Sequence, residues 1–285
     1  MKKVFNKSFL NKIHNESCLE TMSKKIPDGY VDLTVTSPPY DSLRTYNDCV
    51  KGAKTKFNGY TFPFEEIAKE LFRITKRGGV VVWVVGDSCE KGNETGSSFR
   101  QALFFKECGF NLFDTMIYCK SPRGAVGNNK TYWQTFEYMF VFSKGVPKTI
   151  NLLKDRENKD SREGDNGTKR LKNGTLLKLK RGGYEKFGRR TNIWEYKIGN
   201  GHSTSDKIAH EHPAIFPEKL AHDIIYSWSN KNDIVYDPMI GSGTVAKMCM
   251  FLQRNFLGSE INKKYCGIAE KRISQKILHY EGTPI

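Results

Sequence analysis

Val80–Val85 reads VVVWVV, six apolar residues with no polar interruption. A strand with one wet face alternates apolar and polar residues; a strand without alternation is covered on both faces. This segment therefore predicts a central strand of an α/β sheet with helices packed on either side. Its flanks agree. Phe64–Thr75 (FEEIAKELFRIT) spaces Phe64, Ile67, Leu71 and Ile74 along one helix face. The following Lys76-Arg77-Gly78-Gly79 reads as the turn ending that helix, with both cations at its C-terminus. Val31–Thr36 is a β-branched strand that stops at Pro38. A helix is expected at Ser98–Cys108, and strands at Asp114–Lys120 and Tyr138–Ser143. After residue 200 the same texture returns. Pro217–Trp228, Thr244–Gln253 and Tyr265–Leu278 read as helices, Ile234–Tyr236 and Phe256–Ser259 as strands.

The stretch between differs in charge. From Asn166 to Arg190 there are nine Lys/Arg (169, 170, 172, 178, 180, 181, 186, 189 and 190) against one acid, Glu185, and five glycines break the run. Tyr184, Phe187 and Trp194 are interleaved with the charge. A solvated loop and a nucleic-acid contact surface both fit such a run. The whole chain, 285 residues with a formal net charge of +15, is basic enough to expect a polyanionic partner. Trp133 and Trp194 bracket the basic stretch and are expected to pack at its seam.

Several classes are set aside. No run of 18 apolar residues predicts a membrane-spanning helix, and the N-terminus lacks the apolar core of a signal peptide. The seven cysteines form no CxxC, so reduced thiols and a cytoplasmic location are expected. His202, His210 and His212 lie close together, but no cysteine or carboxylate completes a ligand set, so no metal is expected.

Asp237-Pro238-Met-Ile-Gly241-Ser-Gly243-Thr244 joins a predicted strand to a predicted helix. Glycines at 241 and 243 tolerate positive φ and let the backbone approach a ligand. Glu260 follows at the next strand end, placed to accept from ribose hydroxyls. The same residues satisfy a dinucleotide fingerprint, and a purely structural turn also fits. Asp237 tilts the choice. A carboxylate there suits a cationic amino group and repels a pyrophosphate, which points to S-adenosylmethionine.

Thr36-Ser37-Pro38-Pro39-Tyr40 follows directly on the first strand. Consecutive prolines fix φ and remove two donors, leaving carbonyls without local partners. Those carbonyls and the Ser37 hydroxyl can accept from an incoming amine, and Tyr40 offers a face for a base. Such an arrangement suits methylation of an exocyclic amine, whose lone pair is delocalised until its hydrogens are held. A rigid strand-ending turn with Tyr40 as packing is the bland alternative.

Taken together, these segments resemble the amino-group DNA methyltransferases that make N4-methylcytosine or N6-methyladenine. TSPPY at 36–40 resembles their catalytic motif and DPMIGSGT at 237–244 their cofactor loop. HPAIFPEKL at 212–220 resembles the segment over the methionine end of the cofactor. LGSEIN at 257–262 resembles the ribose-binding strand, and QTFEYMFVFSKG at 134–145 the strand before the target-recognition region. The motif order is similar to the β class of a restriction–modification system.

The resemblance implies a Rossmann-like, circularly permuted, mixed seven-stranded sheet with an inserted target-recognition region. Residues 1–145 would be the catalytic half, 146–200 the insertion and 201–285 the cofactor-binding half. It implies Ser37, Pro38, Pro39 and Tyr40 as catalytic residues. Asp237, Pro238, Gly241, Gly243, Thr244, Glu260, Phe216 and Pro217 would hold S-adenosylmethionine. Lys169, Arg170, Lys180, Arg181, Arg189 and Arg190 would contact double-stranded DNA. A base inside a duplex cannot reach a pocket, so base flipping follows. Ser37 at the first motif position points to N4-cytosine, with N6-adenine the alternative. Ser17 stands where the family carries an acid that contacts the cofactor adenine; Glu16 is the candidate replacement. A cognate endonuclease is a candidate partner, and the chain is expected as a monomer or homodimer.

Overall fold

The computed structural model describes residues 9–39, 62–121, 132–158, 167–179, 185–199 and 201–275. Tyr40, Lys180 and Arg181 lie outside the described residues. Two compact units are present, one formed by residues 1–151 with 192–285, the other by 152–191.

The larger unit is built on one mixed sheet. Its strands are β1 (Lys12–His14), β2 (Val31–Thr36), β3 (Thr75–Val85), β4 (Asn111–Ser121), β5 (Phe136–Ser143), β6 (Ile193–Lys197), β7 (Ile234–Asp237) and β8 (Asn255–Ser259). They lie in the order β1-β8-β7-β2-β3-β5-β4-β6. Only β5 runs against its neighbours. The helices are α1 (Cys18–Lys25), α2 (Phe64–Ile74), α3 (Ser97–Glu107), α4 (Glu218–Trp228), α5 (Thr244–Phe251) and α6 (Lys263–Ser274). None of the described helices is long and apolar enough to cross a membrane.

Val80–Val85 is buried throughout, as its unbroken apolar run requires. Trp83 sits at the centre of one face against Phe64 and Phe105, and Phe105 stacks on Phe142 with ring centroids 4.5 Å apart. The Trp83 indole N–H is satisfied by Gln101 Oε1 at 2.8 Å.

Two features differ from expectation. Lys76-Arg77-Gly78-Gly79 is no helix-ending turn. β3 already begins at Thr75, and the extra residues form an irregularity opposite Val31–Leu33. Gly78 takes φ +82°, which favours glycine, and Lys76 pairs with Asp32 at 2.6 Å instead of facing a helix end. Second, the sheet has eight strands where seven were expected. The eighth, β6, lies parallel beside β4. Trp194 and Tyr196 alternate inward along it and are buried, while Ile193, Glu195 and Lys197 face water. Trp194 is therefore a sheet residue, whereas Trp133 is exposed.

The smaller unit carries an antiparallel hairpin, Gly167–Arg170 with Leu176–Leu179, and a short pair, Arg156–Glu157 with Phe187–Gly188.

Candidate active site

The parallel strands end on one edge of the sheet. From β2 the chain moves outward to β3, and from β7 it moves outward the other way to β8. A crevice opens where the strand order reverses in this way, at the carboxyl ends of the two central strands. β2 and β7 are hydrogen-bonded neighbours, with Tyr236 opposite Thr34. Two segments 200 residues apart, the proline turn after β2 and the glycine turn after β7, thus start side by side.

They share one cavity of about 540 Å³. Ser37, Pro38 and Pro39 line it, as do Asp237, Pro238, Gly241, Thr244, Glu260, Phe216 and Pro217. Gly243 is not among the lining residues. Its φ of +83° turns the chain into α5, and an added Cβ would lie 2.9 Å from Ala269 Cβ on α6. Gly241 has φ +50°, and a Cβ there would meet His212 Nε2 at 2.9 Å. The His212 ring in turn packs edge-on against Tyr265, centroids 4.3 Å apart.

Asp237, at the start of the glycine turn, and Glu260, just after β8, are both buried and bound by backbone donors. Met239 N–H donates to Asp237 Oδ1 at 3.0 Å. Gly241 N–H donates to Glu260 Oε2 at 3.0 Å and Asn262 N–H to Oε1 at 2.8 Å. Burial pushes the Asp237 carboxyl up to about 7, helped by the charge of Glu260 and opposed by the Met239 bond. Burial also raises Glu260, although the N–H donors from Asn262 and Gly241 pull the other way. Two desolvated acids facing one cavity form a site for a cation and hydroxyl donors, and a poor one for a pyrophosphate.

Ser17 caps α1, accepting from Leu19 N–H, and lines the cavity. Glu16 is not among the lining residues. Its carboxylate is taken by Lys25 Nζ at 2.6 Å and the Thr21 hydroxyl at 2.8 Å. Cys18 also lines the cavity, and burial pushes its thiol up to about 12. Alkylation near pH 8 is therefore expected to modify Cys18 at least about tenfold more slowly than the exposed Cys89, as read by peptide mass mapping.

A buried charge cluster holds the glycine turn from behind. Arg272 of α6, fully buried, donates to Ser242 O (2.7 Å), Ser242 Oγ (3.1 Å) and Thr244 Oγ1 (3.0 Å). Its other nitrogens reach Asp206 Oδ2 (3.0 Å) and Glu218 Oε1 (2.7 Å), and Lys247 bonds the same two carboxylates. Sequence reading missed this cluster, because a helix over Tyr265–Leu278 says nothing about which distant carboxylates its cations meet. It also missed Tyr118, Lys120 and Glu137, which line the cavity from β4 and β5. Only the likeness of QTFEYMFVFSKG to a family motif touched that wall.

Of the cations expected at DNA, Lys169 and Arg170 are exposed on the hairpin of the smaller unit. Arg189 is exposed, and its carbonyl accepts from Arg156 Nε at 3.0 Å. Arg190 is tied to Asp155 by two bonds of 3.0 Å from Nε and a further contact from its terminal nitrogen.

Comparison with known proteins places these features in context. A family model described as DNA methylase matches residues 31–271. The orphan methyltransferase M.BamHII of Bacillus amyloliquefaciens is 55% identical over 260 residues, covering 90% of this chain and 94% of that protein. The type II methyltransferase M.BglII of Bacillus subtilis is 30% identical over 281 residues, covering 95% and 71%. Among solved structures, the PvuII DNA methyltransferase (cytosine-N4-specific) is similar in fold, with TM-score 0.64, 19% identity and coverage of 94% and 87%. The M1.HpyAVI–SAM complex is similar at TM-score 0.57, 22% identity and coverage of 92% and 98%.

Proposed function

The chain belongs to the DNA methylase family, and on that premise we propose that it methylates the exocyclic N4 amine of a cytosine extruded from double-stranded DNA. The observation that carries this reading is the shared cavity, lined at once by the proline turn and by the acidic glycine turn. The residues present fit S-adenosylmethionine, because two buried acids and a glycine backbone face the same space. That cofactor supplies a methyl group activated on a sulfonium, which no side chain can provide.

The chain's own residues would do the rest. Asp237 would take the cationic amino group, and Glu260, with lone pairs beyond those its backbone donors use, the ribose hydroxyls. Phe216 and Pro217 would wall the cofactor side. Ser37 Oγ and the carbonyl of Pro38 would accept the hydrogens of the target amine, favouring a pyramidal nitrogen whose lone pair is aimed. A cavity of about 540 Å³ is too small for a duplex, so the base would have to leave the stack. Ser37 at the head of the turn supports cytosine over adenine as the target.

The experiment is expression in a methylation-deficient host, digestion of its DNA to nucleosides and mass spectrometry, with sequencing for the modified site. N4-methylcytosine is the expected product. N6-methyladenine would replace the target base, and the absence of both would overturn the reading. Ser37→Ala is expected to cut turnover by about a hundredfold while leaving cofactor affinity within about twofold.

The smaller unit would recognise the DNA. Lys169 and Arg170 sit on an exposed two-stranded ribbon, a shape that enters a major groove. Neutralising both is expected to lower the slope of log affinity against log salt by about 1–2. Arg190→Ala, which breaks the tie to Asp155, is expected to leave that slope nearly unchanged and to loosen the unit instead. Equal slopes for wild type and the Lys169/Arg170 variant would remove the ribbon from the contact surface.

A further inference from the structure

On the far wall of the cavity, Lys120 Nζ contacts Glu137 Oε1. Both residues line the cavity, together with Tyr118, Phe62 and Gly199. Tyr118 stands directly opposite Glu137 in the β4–β5 ladder, and Lys120 lies two residues further along the same face of β4. The Glu137 side chain is 10% exposed and that of Lys120 26%. A largely buried ion pair gives a fold little net stability, since desolvation offsets the attraction. Its position in a cavity wall therefore calls for a chemical reason.

The sheet provides a scale. Ser37 follows β2, and Glu137 opens β5, which is separated from β2 by β3 alone. Two strand spacings are about 10 Å. A pyrimidine held by its amine at one end needs roughly that span: a ring with its substituents and a hydrogen bond of about 3 Å at each side. The wall facing the amine-holding turn would thus meet the opposite part of the base. Along the edge that starts at its amine, cytosine presents two acceptors, the adjacent ring nitrogen and, at the far end towards that wall, the carbonyl oxygen. An ammonium can donate to them; a carboxylate cannot. The remaining lining acids, Asp237 and Glu260, belong to the glycine turn and its neighbouring strand end.

We propose that Lys120 is the donor that pins the ring acceptors of the extruded base, and that Glu137 is the positioning residue that aims its ammonium. This deepens the function proposed above and rests on it. The Lys120 ammonium would not hold a base that presents a donor at the same place. Tyr118, on the same wall, and Phe62, which also lines the cavity, would supply apolar faces to the ring.

The test is equilibrium DNA binding, with cofactor present, to two duplexes carrying the site mapped by sequencing. One has the target base and the other an abasic position in its place. Lys120→Met is expected to raise the ratio of the two dissociation constants, target over abasic, about tenfold, the worth of one charge-assisted hydrogen bond. Lys120→Arg, which keeps a cationic donor, is expected to restore at least half of that change on a logarithmic scale. Glu137→Gln, which keeps the shape and loses the charge, is expected to raise the ratio about threefold.

Loss of general packing would weaken both duplexes alike and leave the ratio where it was. That result, in folded Lys120→Met or folded Glu137→Gln, overturns the proposal, as does a Lys120→Arg ratio no closer to wild type than that of Lys120→Met. So does a Glu137→Gln protein with an unchanged ratio and a slower single-turnover rate, which would make Glu137 a proton acceptor instead. If the wild-type enzyme modifies no DNA amine at all, the functional reading falls first. If it does modify DNA and the ratio stays fixed, only the role of Lys120 falls.

Discussion

Arg272→Met is expected to destabilise the protein by about 3–5 kcal/mol, the range for removing one partner from a buried ion cluster. The cluster is balanced as it stands. Arg272 and Lys247 face Asp206 and Glu218, and Arg272 is completely buried. Without the guanidinium, Lys247 alone must compensate two carboxylates, and the Ser242 carbonyl and Thr244 hydroxyl lose a donor. Burial alone would raise the Asp206 carboxyl, but its bonds to Lys247 and Arg272 outweigh that and hold it below its ordinary value. A depressed acid stabilises above its unfolded pKa, and this contribution is lost as pH falls through the folded value. The wild type should therefore lose stability below the ordinary carboxylate range, and the variant should lose less over the same window. Thermal unfolding is the measurement, with a fall in Tm on the order of 10 °C. Glu218→Gln added to Arg272→Met removes one of the stranded charges and should recover part of the loss. A double variant no better than the single would show that the cluster matters through shape and not through charge.

Arg272 also marks where sequence reading stops. Helix periodicity located α6 and α4, but it carries no information on whether a cation at 272 meets a carboxylate at 206 or 218. Such a meeting depends on the packing of three elements far apart in the chain. The two chemical turns were legible one by one, because consecutive prolines and spaced glycines constrain the backbone locally. Their contact was not, since it follows from the β2–β7 ladder; only the resemblance to a known family anticipated it.

The buried strand Val80–Val85 was legible for the same local reason, yet its start was misplaced. Lys76-Arg77-Gly78-Gly79 looks like punctuation, but a strand irregularity can also use a positive φ, and Gly78 supplies one here. β6 was hidden by the charge around it. The signal was present as a period of two in Ile193-Trp194-Glu195-Tyr196-Lys197, with only Trp194 and Tyr196 buried.

Asp237→Asn is expected to move two properties in opposite directions. The carboxyl is raised from 3.8 to about 7 because it is buried, beside Glu260, with Met239 N–H as its hydrogen-bonded backbone donor. An acid whose folded pKa exceeds its unfolded value binds protons more tightly when folded. It costs stability as pH rises from about 4 to about 7, and the cost is complete above that. Asparagine carries no charge to desolvate and can still accept from Met239. The ligand-free variant should therefore be more stable than wild type at pH 8, by about 1–3 kcal/mol, and indistinguishable or less stable at pH 4.

Cofactor binding should show the reverse. An α-amino group stays cationic up to about pH 8, so below pH 7 the affinity of the wild type is set by how much of Asp237 is ionised. S-adenosylmethionine affinity should fall as pH drops from 7 to 5.5, approaching about tenfold per unit. In Asp237→Asn it should be weaker by about 2 kcal/mol at pH 7.5, near thirtyfold, and flat over the same range. Calorimetric titration at several pH values, with thermal unfolding of the same samples, reads both. A residue that merely supports the fold would lower stability and affinity together. Opposite signs are the mark of a desolvated charge kept for a ligand, because the strain it places on the empty site is relieved when a cation arrives.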